Sequence, residues 1–187
     1  MKNIVIISGA AGSGKDSVID GLQALLPLER IITTTSRLPR PTESEGHPYY
    51  FISKDDFERG IQAGEFVEYS TNENGGLYGV TKRELERVSQ TNGVALWRVD
   101  WKGVVTIKKL FPAIPAIYIS APLSVLEQRL RNRDADKDEH YFKERMDYTR
   151  EWLNHLDIYD YQVENEEGKL SETVEQVARI IKERTSA

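Results

Sequence analysis

The sequence predicts an α/β fold in which a mostly parallel sheet has helices on both faces. Strand-like and helix-like segments alternate along most of the 187 residues, which is the order typical of parallel sheets. The first strand-like run, Ile4-Val5-Ile6-Ile7, is apolar throughout, as expected for a strand covered on both faces. With 39% hydrophobic and 29% charged residues, the composition is that of one globular domain.

The elements of this sheet follow in order. A helix is predicted over residues 14–26, because apolar residues recur on one face and Pro27 ends it. The apolar stripe of this helix consists of Val18, Ile19, Leu22, Leu25 and Leu26. Further strands are predicted at residues 30–34, 93–99, 113–120 and 159–163, and further helices at 102–110, 123–132, 141–156 and 172–184.

Residues 36–80 break this alternation and predict an inserted small α+β lobe. They hold three prolines, short strand-like runs at 49–52 and 66–69, and a helix at 55–62 with Ser53 as its N-cap. Residues 72–76 are typical of a turn. The main domain is expected to resume where Thr81 and Glu84 have the spacing of a capping box.

A helical lid is predicted over residues 134–150, because residues 134–139 are polar, dense in charge and flanked by helices. The whole chain is then one domain. Its core is assigned to residues 1–35, 81–133 and 151–187.

Composition excludes several classes of function. The chain has no cysteine, so disulfides and thiolate metal sites are excluded, and its three histidines match no metal-ligand spacing. A net charge of −5 and a pI of about 5.4 argue against an extended nucleic-acid surface. The short apolar run at the start leads directly into glycines, so we interpret it as a strand rather than a signal peptide, and no stretch reaches membrane-spanning length. A cytoplasmic location is expected, with no membrane and no nucleic-acid partner.

The clearest chemical motif is Gly9-Ala10-Ala11-Gly12-Ser13-Gly14-Lys15, between the first strand and the first helix. Its glycines let successive backbone N–H groups face inward, and the helix N-terminus favours an anion. Lys15 adds a positive charge for the terminal phosphates of a nucleotide. The motif predicts a P-loop NTPase-type fold and a nucleotide site formed by residues 9–17.

Asp16 departs from this motif, since a Ser or Thr that binds Mg²⁺ through its hydroxyl normally follows the lysine. Ser17 is rotated about 100° around the helix and should not simply replace it. A carboxylate is also a hard oxygen ligand, so Asp16 becomes the candidate Mg²⁺ ligand. The same charge is unfavourable beside phosphates unless a cation neutralises it.

A second set of residues indicates another phosphate site. Arg37 and Arg40 are spaced to grip a phosphate through charge-assisted contacts, and Tyr49 and Tyr78 could donate hydroxyls to it. Glu68 could accept the adjacent N–H and amino groups of guanine and would reject adenine. A solvated basic loop and an exposed glutamate are the alternatives from these residues alone.

Five groups of residues then resemble guanylate kinases, in the correct order and over nearly the whole chain. They are the run from Thr34 to Tyr50 with Arg37-Leu38-Pro39-Arg40, Glu65-Phe66-Val67-Glu68, Leu77-Tyr78-Gly79-Val80-Thr81, Val99-Asp100-Trp101-Lys102-Gly103, and Arg129-Leu130 with Arg133 and the Asn165 region. The resemblance implies a P-loop core, a GMP-binding lobe and a lid. It also implies ATP as phosphoryl donor with Mg²⁺, GMP as acceptor, and a monomer or a homodimer.

The resemblance also implies roles for individual residues. Arg37, Arg40, Tyr49 and Tyr78 would hold the GMP phosphate; Glu68 and Thr33 would recognise guanine; and Asp100 would contact the GMP side. Lys15, Arg37, Arg133 and Arg145 would be catalytic, with Arg129 a further lid candidate and Asn165 near the adenine.

Two further departures from the family pattern concern the GMP side and the metal. Val80 stands where the family usually has Ser or Thr near guanine, so one hydrogen bond to the base is missing or moved to Thr81. Arg98 stands where an acidic residue is common. We therefore predict that Arg98 and Asp16 approach each other beside the phosphate loop, the alternative being that Arg98 points elsewhere and Asp16 is solvated.

Two other functions stay open at this level. A kinase of a phosphorylated ribose, similar to ribose bisphosphate phosphokinases, could also carry the Lys-Asp-Ser sequence, but it would not need Glu68 with Arg37, Arg40 and Tyr49. A catalytically weak guanylate-kinase-like binding module would typically lose the loop lysine or the lid arginines, which are present here.

Overall fold

The computed structural model describes residues 3–71 and 75–185 and confirms the α/β fold, with a parallel sheet between helices. The strands are β1 (Ile4–Ser8), β2 (Leu28–Arg30), β3 (Thr33–Thr35), β4 (Ser44–Glu45), β5 (Pro48–Phe51), β6 (Phe66–Thr71), β7 (Leu77–Thr81), β8 (Val94–Arg98), β9 (Ala116–Ser120) and β10 (Tyr161–Glu164). The helices are α1 (Lys15–Leu22), α2 (Lys54–Gln62), α3 (Lys82–Ser89), α4 (Trp101–Leu110), α5 (Leu123–Arg133), α6 (Glu139–Leu153) and α7 (Leu170–Thr185), with a 3₁₀ turn at Leu156–Ile158. None of these helices combines the length and the apolarity needed to cross a membrane.

The first sheet has the order β10-β9-β1-β8-β2, and all its strands are parallel. Side chains of β1 alternate between the two faces, as the strand period of two requires. Ile4 and Ile6 pack into one apolar cluster with Trp97, whereas Val5 and Ile7 pack into the other with Val18. The uniformly apolar run predicted from sequence is therefore a strand buried on both faces.

The second sheet is formed by β4, β5, β3, β7 and β6 and mixes parallel with antiparallel pairs. Helix α2 packs on it through Phe57, which is fully buried and stacks on Phe66 at 4.2 Å between ring centroids. Ser53 is the N-cap of α2, as predicted, and its hydroxyl accepts a hydrogen bond from the Asp56 amide at 3.0 Å.

Replacing Ser53 by alanine should lower the free energy of unfolding by about 1 kcal/mol, because the first turn of α2 loses a partner for one amide. Urea denaturation followed by circular dichroism measures this change. Ser89→Ala is the matched control, since that hydroxyl donates to the Glu86 carbonyl inside α3 and caps no N-terminus. Equal stability of Ser53→Ala and the parent chain would contradict the capping role.

The chain passes between the two sheets twice, at residues 31–32 and again from β7 into α3. Thr81 caps α3 by accepting from the Glu84 amide at 3.2 Å, in agreement with the predicted capping spacing. Glu84 does not complete the capping box. Its side chain is 3% exposed and instead accepts from the Ile32 amide at 2.7 Å and from Arg87 at 2.8 Å. The buried Glu84 carboxylate thus finds a hydrogen-bond donor in residues 31–32, the other segment that joins the two sheets.

Three sequence predictions of element bounds were wrong or lie outside the described chain. Helix α1 ends at Leu22, because residues 23 and 24 form tighter i→i+3 hydrogen bonds, and Leu25 is 45% exposed rather than part of the stripe. The strand predicted at 30–34 is two strands that belong to different sheets. The turn predicted at 72–76 falls partly on residues 72–74, outside the described residues.

The segment predicted as a lid is a short loop followed by most of helix α6. Asp138 begins this helix, since its carboxylate accepts from the Tyr141 amide at 2.9 Å. The division of the chain into core, inserted lobe and lid remains a prediction.

Candidate active site

A cavity of about 330 Å³ is lined by residues of both sheets and of the helices that follow them. Its lining residues are Gly9, Ala11, Lys15, Thr33, Tyr49, Glu68, Ser70, Tyr78, Arg98, Val99, Asp100, Gly103, Arg133, Arg145, Tyr148, Thr149 and Trp152. The carboxyl ends of β1 and β8 open onto it, which is where ligands bind in open parallel sheets. Ten of the residues predicted from sequence to form a nucleotide site lie on this one surface.

The loop after β1 has the conformation of an anion cradle. Gly12 and Gly14 have φ of 83° and 79°, a left-handed region that favours glycine. A Cβ on Gly9 would lie 2.5 Å from the Ile119 carbonyl oxygen, so this position also requires glycine. Helix α1 begins at Lys15 without a side-chain cap, which leaves its first amides available to a bound anion.

Lys15 lines the cavity at the start of α1 and is half-buried. Burial lowers the pKa of its ammonium group, and Arg98 and Arg133 act in the same direction, while Asp16 opposes them. An ammonium group that has lost much of its water interacts strongly with an incoming anion.

Other residues of the predicted ATP set lie behind this loop or outside it. Asn165 is buried, and its amide nitrogen donates to the Ser13 carbonyl at 2.9 Å, so it contacts the loop backbone rather than lining the cavity. Arg129 approaches the Gly12 carbonyl at 3.3 Å and forms an ion pair with Glu167. Ala10 is buried as well, and Ser17 is exposed on α1.

The second sheet presents one face to the cavity. Glu68 is opposite Val80, and Thr33 is opposite Tyr49, so these residues lie in one row across β6, β7, β3 and β5. Glu68, Thr33, Tyr49 and Tyr78 line the cavity, as the sequence prediction requires. Val80 lies on the same face, but it is fully buried in the apolar core and does not line the cavity, and its side chain offers no polar group.

Glu68 is a buried carboxyl group with 5% of its surface exposed. Loss of water raises its pKa to about 8, and the nearby Asp100 charge acts in the same direction. The sequence alternative, an exposed glutamate on a strand, is therefore wrong. A buried acceptor facing a cavity is suited to a ligand that brings two N–H donors.

Arg37 does not line the cavity; it contacts Tyr78, which does, and an ion pair with Glu43 holds its side chain there. The two side chains form parallel hydrogen bonds of 2.7 and 2.6 Å, and Arg37 also donates to the Tyr78 hydroxyl at 3.2 Å. The Arg37 guanidinium lowers the pKa of Glu43 to about 2. Arg40 contributes its backbone amide, which donates to Glu43 Oε2, and its carbonyl, which accepts from the Glu43 amide; its side chain is exposed and does not line the cavity.

The predicted approach of Asp16 and Arg98 is confirmed. Arg98 Nη1 donates to Asp16 Oδ1 at 2.6 Å, and its Nη2 donates to the Tyr49 hydroxyl at 2.8 Å. The alternative, in which Arg98 points elsewhere and Asp16 is solvated, is thereby contradicted. The pKa of Asp16 is lowered overall. Burial of the carboxyl group acts to raise it, but the Arg98 guanidinium acts in the opposite direction.

Arg133 and Arg145, the two predicted lid arginines, both line the cavity. Arg133 forms two hydrogen bonds with Asp134, at 2.9 and 2.8 Å. The guanidinium of Arg145 lies over the Tyr141 ring, 5.3 Å from its centroid. These contacts hold both cations on the helical side of the cavity.

Sequence reasoning missed several lining residues, although two simple patterns point to them. Tyr148, Thr149 and Trp152 follow Arg145 at intervals of three, four and seven residues, so they share its helix face. Tyr148 also donates to Asp100 Oδ2 at 3.3 Å. Ser70 follows Glu68 by two residues on β6 and therefore shares its face.

Comparisons with known proteins agree with this geometry. The family model described as guanylate kinase matches residues 1–184. A guanylate kinase of Porphyromonas gingivalis is 35% identical over 185 residues, covering 97% of each chain. One of Rickettsia bellii is 34% identical over 180 residues, covering 95% of this chain and 92% of the relative. The crystal structure of guanylate kinase from Anaplasma phagocytophilum, at 24% identity, covers 100% of this chain and 88% of that one with a TM-score of 0.77, and so shares the fold. The chain belongs to the guanylate kinase family.

Proposed function

We propose that this protein transfers the γ-phosphate of ATP to GMP, giving ADP and GDP, and so serves purine nucleotide metabolism. The observation that carries the proposal is that Lys15 of the glycine loop and Glu68 of the second sheet line one cavity. Phosphoryl transfer requires two nucleotides in line and little covalent chemistry from the protein. A single cavity with a phosphate cradle and a base-recognising carboxyl group meets that requirement.

GMP would occupy the side formed by the second sheet. Tyr49, Tyr78 and Arg37 would hold its phosphate, joined by Arg40 once that exposed side chain turns inward. The base would be recognised by Glu68 and Thr33, with Asp100 beside them. Val80 is fully buried and does not line the cavity, so its side chain would donate nothing to guanine.

ATP would bind with its phosphates in the loop of residues 9–17. The backbone amides would surround the phosphates, and Lys15, Arg133 and Arg145 would stabilise the charge that spreads over the moving phosphoryl group. Asn165 would keep the loop in shape from behind, through its bond to the Ser13 carbonyl.

Mg²⁺ bound with ATP would supply positive charge that neutralises the charge developing on the phosphates. Mg²⁺ commonly binds through one or two carboxylates together with substrate phosphates and water. Among residues 3–71 and 75–185 there is no group of three or more His, Cys, Asp or Glu able to hold a metal. Asp16, with Oδ1 bonded to Arg98, would offer its other oxygen, and this fits a metal held mainly by the substrate.

A coupled assay with ATP and Mg²⁺ tests the proposal on a panel of GMP, AMP, UMP and ribose phosphates. Efficient turnover of GMP alone is expected, because Glu68 accepts where guanine donates and adenine does not. Preferred use of a ribose phosphate would favour the ribose-phosphate kinase alternative. Binding of GMP without turnover of any acceptor would favour a binding module.

Binding of GMP at pH 7 should release protons. The pKa of Glu68 is raised to about 8, so its carboxyl group is mostly protonated in the free protein, while guanine requires the carboxylate. GMP affinity should therefore rise as the pH increases from 6 to 8, and folding stability should fall over the same interval, because the raised pKa favours the protonated folded state. Calorimetry of GMP binding in buffers with different ionisation enthalpies counts the protons.

Glu68→Gln is the control for this experiment, since it leaves only the protons exchanged by the GMP phosphate. Equal proton release by the parent and by this variant would contradict the titration of Glu68. The cytoplasmic location, the monomeric or homodimeric state, and the absence of nucleic-acid and membrane partners remain predictions.

A further inference from the structure

Arg98 joins the two sides of the cavity directly. It ends β8 in the first sheet, and its guanidinium bonds to Asp16 at the start of α1 and to the Tyr49 hydroxyl on β5 of the second sheet, at 2.6 and 2.8 Å. The same guanidinium lies 5.8 Å from the centroid of the Tyr49 ring. The planar fork of arginine can hold both partners at once in a fixed geometry, which a lysine cannot do.

The two partners of Arg98 belong to the two expected substrate sites. Asp16 follows Lys15 in the loop expected to bind ATP, and Tyr49 is expected to hold the GMP phosphate. The positive charge of Arg98 compensates an acidic side chain that would otherwise repel phosphates. Its second bond restrains the Tyr49 hydroxyl relative to the loop, so the distance between the two sites depends on this residue.

We propose that Arg98 is a positioning residue for phosphoryl transfer, which places the Tyr49 hydroxyl for the acceptor phosphate and neutralises Asp16 for the donor. This inference rests on the proposed function. The two contacts make separate predictions. Loss of the Tyr49 contact should weaken GMP binding, and loss of the Asp16 contact should weaken ATP binding.

The GMP contact is tested by calorimetry without ATP or Mg²⁺, on Arg98→Gln, Tyr49→Phe and the double variant. Arg98→Gln should weaken GMP binding about 10-fold, as expected for a charge-assisted hydrogen bond that orders its partner. Because the effect passes through the Tyr49 hydroxyl, the double variant should bind within twofold of Tyr49→Phe. Arg98→Lys, which keeps the charge but loses the fork, should fall between the parent and Arg98→Gln.

The ATP contact is tested by steady-state kinetics. Arg98→Gln should raise the KM for ATP more in the parent than in the Asp16→Asn background, because without the Asp16 carboxylate Arg98 has no negative charge to neutralise there. The KM for GMP should stay high in Asp16→Asn/Arg98→Gln. Arg59→Gln is the control for a lost arginine, since Arg59 is exposed on α2 and pairs only with Asp56 among its described ion pairs; its kinetics should match the parent.

Two outcomes would overturn the proposal. One is GMP binding by Arg98→Gln within twofold of the parent, and the other is an equal penalty with and without the Tyr49 hydroxyl. Should Arg98→Gln fail to fold, Arg98→Lys in the parent and in the Tyr49→Phe background gives the same comparison. Failure of the parent to phosphorylate GMP would instead refute the proposed function, and the calorimetric cycle would still decide whether Arg98 positions Tyr49.

Discussion

Replacing Lys15 by methionine is expected to lower kcat by about 10³-fold, the upper range for loss of one group that stabilises transition-state charge. Methionine keeps the length and the apolar stem of the side chain, so the variant removes mainly the charge. Lys15 is at the start of α1 where the loop amides converge, and burial makes its charge effective toward phosphates. Coupled-assay kinetics with saturating ATP and GMP measure the change.

The control for this variant is Lys54→Met, because Lys54 is exposed on α2 and forms only a distant pair with Glu58 among its described ion pairs. Its turnover should equal that of the parent. Calorimetry should also show that Lys15→Met still binds GMP, which separates lost catalysis from lost folding. Turnover by Lys15→Met within tenfold of the parent would remove Lys15 from the phosphate site.

Replacing Glu68 by glutamine should lower kcat/KM for GMP by about 10²-fold or more, because a buried acceptor becomes a donor opposite the donors of guanine. Glutamine has nearly the same shape and no charge, so the fold should be retained. Above pH 8 the free energy of unfolding of Glu68→Gln should exceed that of the parent. The parent must then ionise the Glu68 carboxyl group, which is only 5% exposed. Kinetics with varied GMP and thermal unfolding at two pH values measure both effects.

Glu65→Gln is the matched control, since Glu65 precedes the same strand but is exposed to solvent. It should leave both kinetics and stability unchanged. If Glu68→Gln keeps the kinetics of the parent, guanine is recognised elsewhere on this face, and Ser70 and Thr33 become the next candidates.

The sequence predicted those parts of the site that are marked in the chain itself, either by a local motif or by an unusual residue. The glycine loop is determined by its own backbone, and the Asp16–Arg98 pair could be predicted because two unusual charges compensate each other. The end of α1 was predicted wrongly because apolar spacing continues to Leu26, while the chain has already tightened into a turn.

Other features depend on how the chain folds back on itself and leave little sign in the sequence. Ile31 and Ile32 continue the apolar pattern of a strand, so nothing local marks the change of sheet between them. To predict the ion pair between Arg37 and Glu43, one would need to know which carboxylate folds back onto which arginine. The exposure of Arg40, two residues beyond Leu38, likewise depends on how that loop lies.

Glu84 ties together the two places where the chain passes between the sheets. Its backbone amide is held by Thr81 at the return passage, and its carboxylate holds the Ile32 amide at the outgoing one. The outgoing and returning segments thus share an anchor, so removing the Glu84 carboxylate would loosen both connections at once.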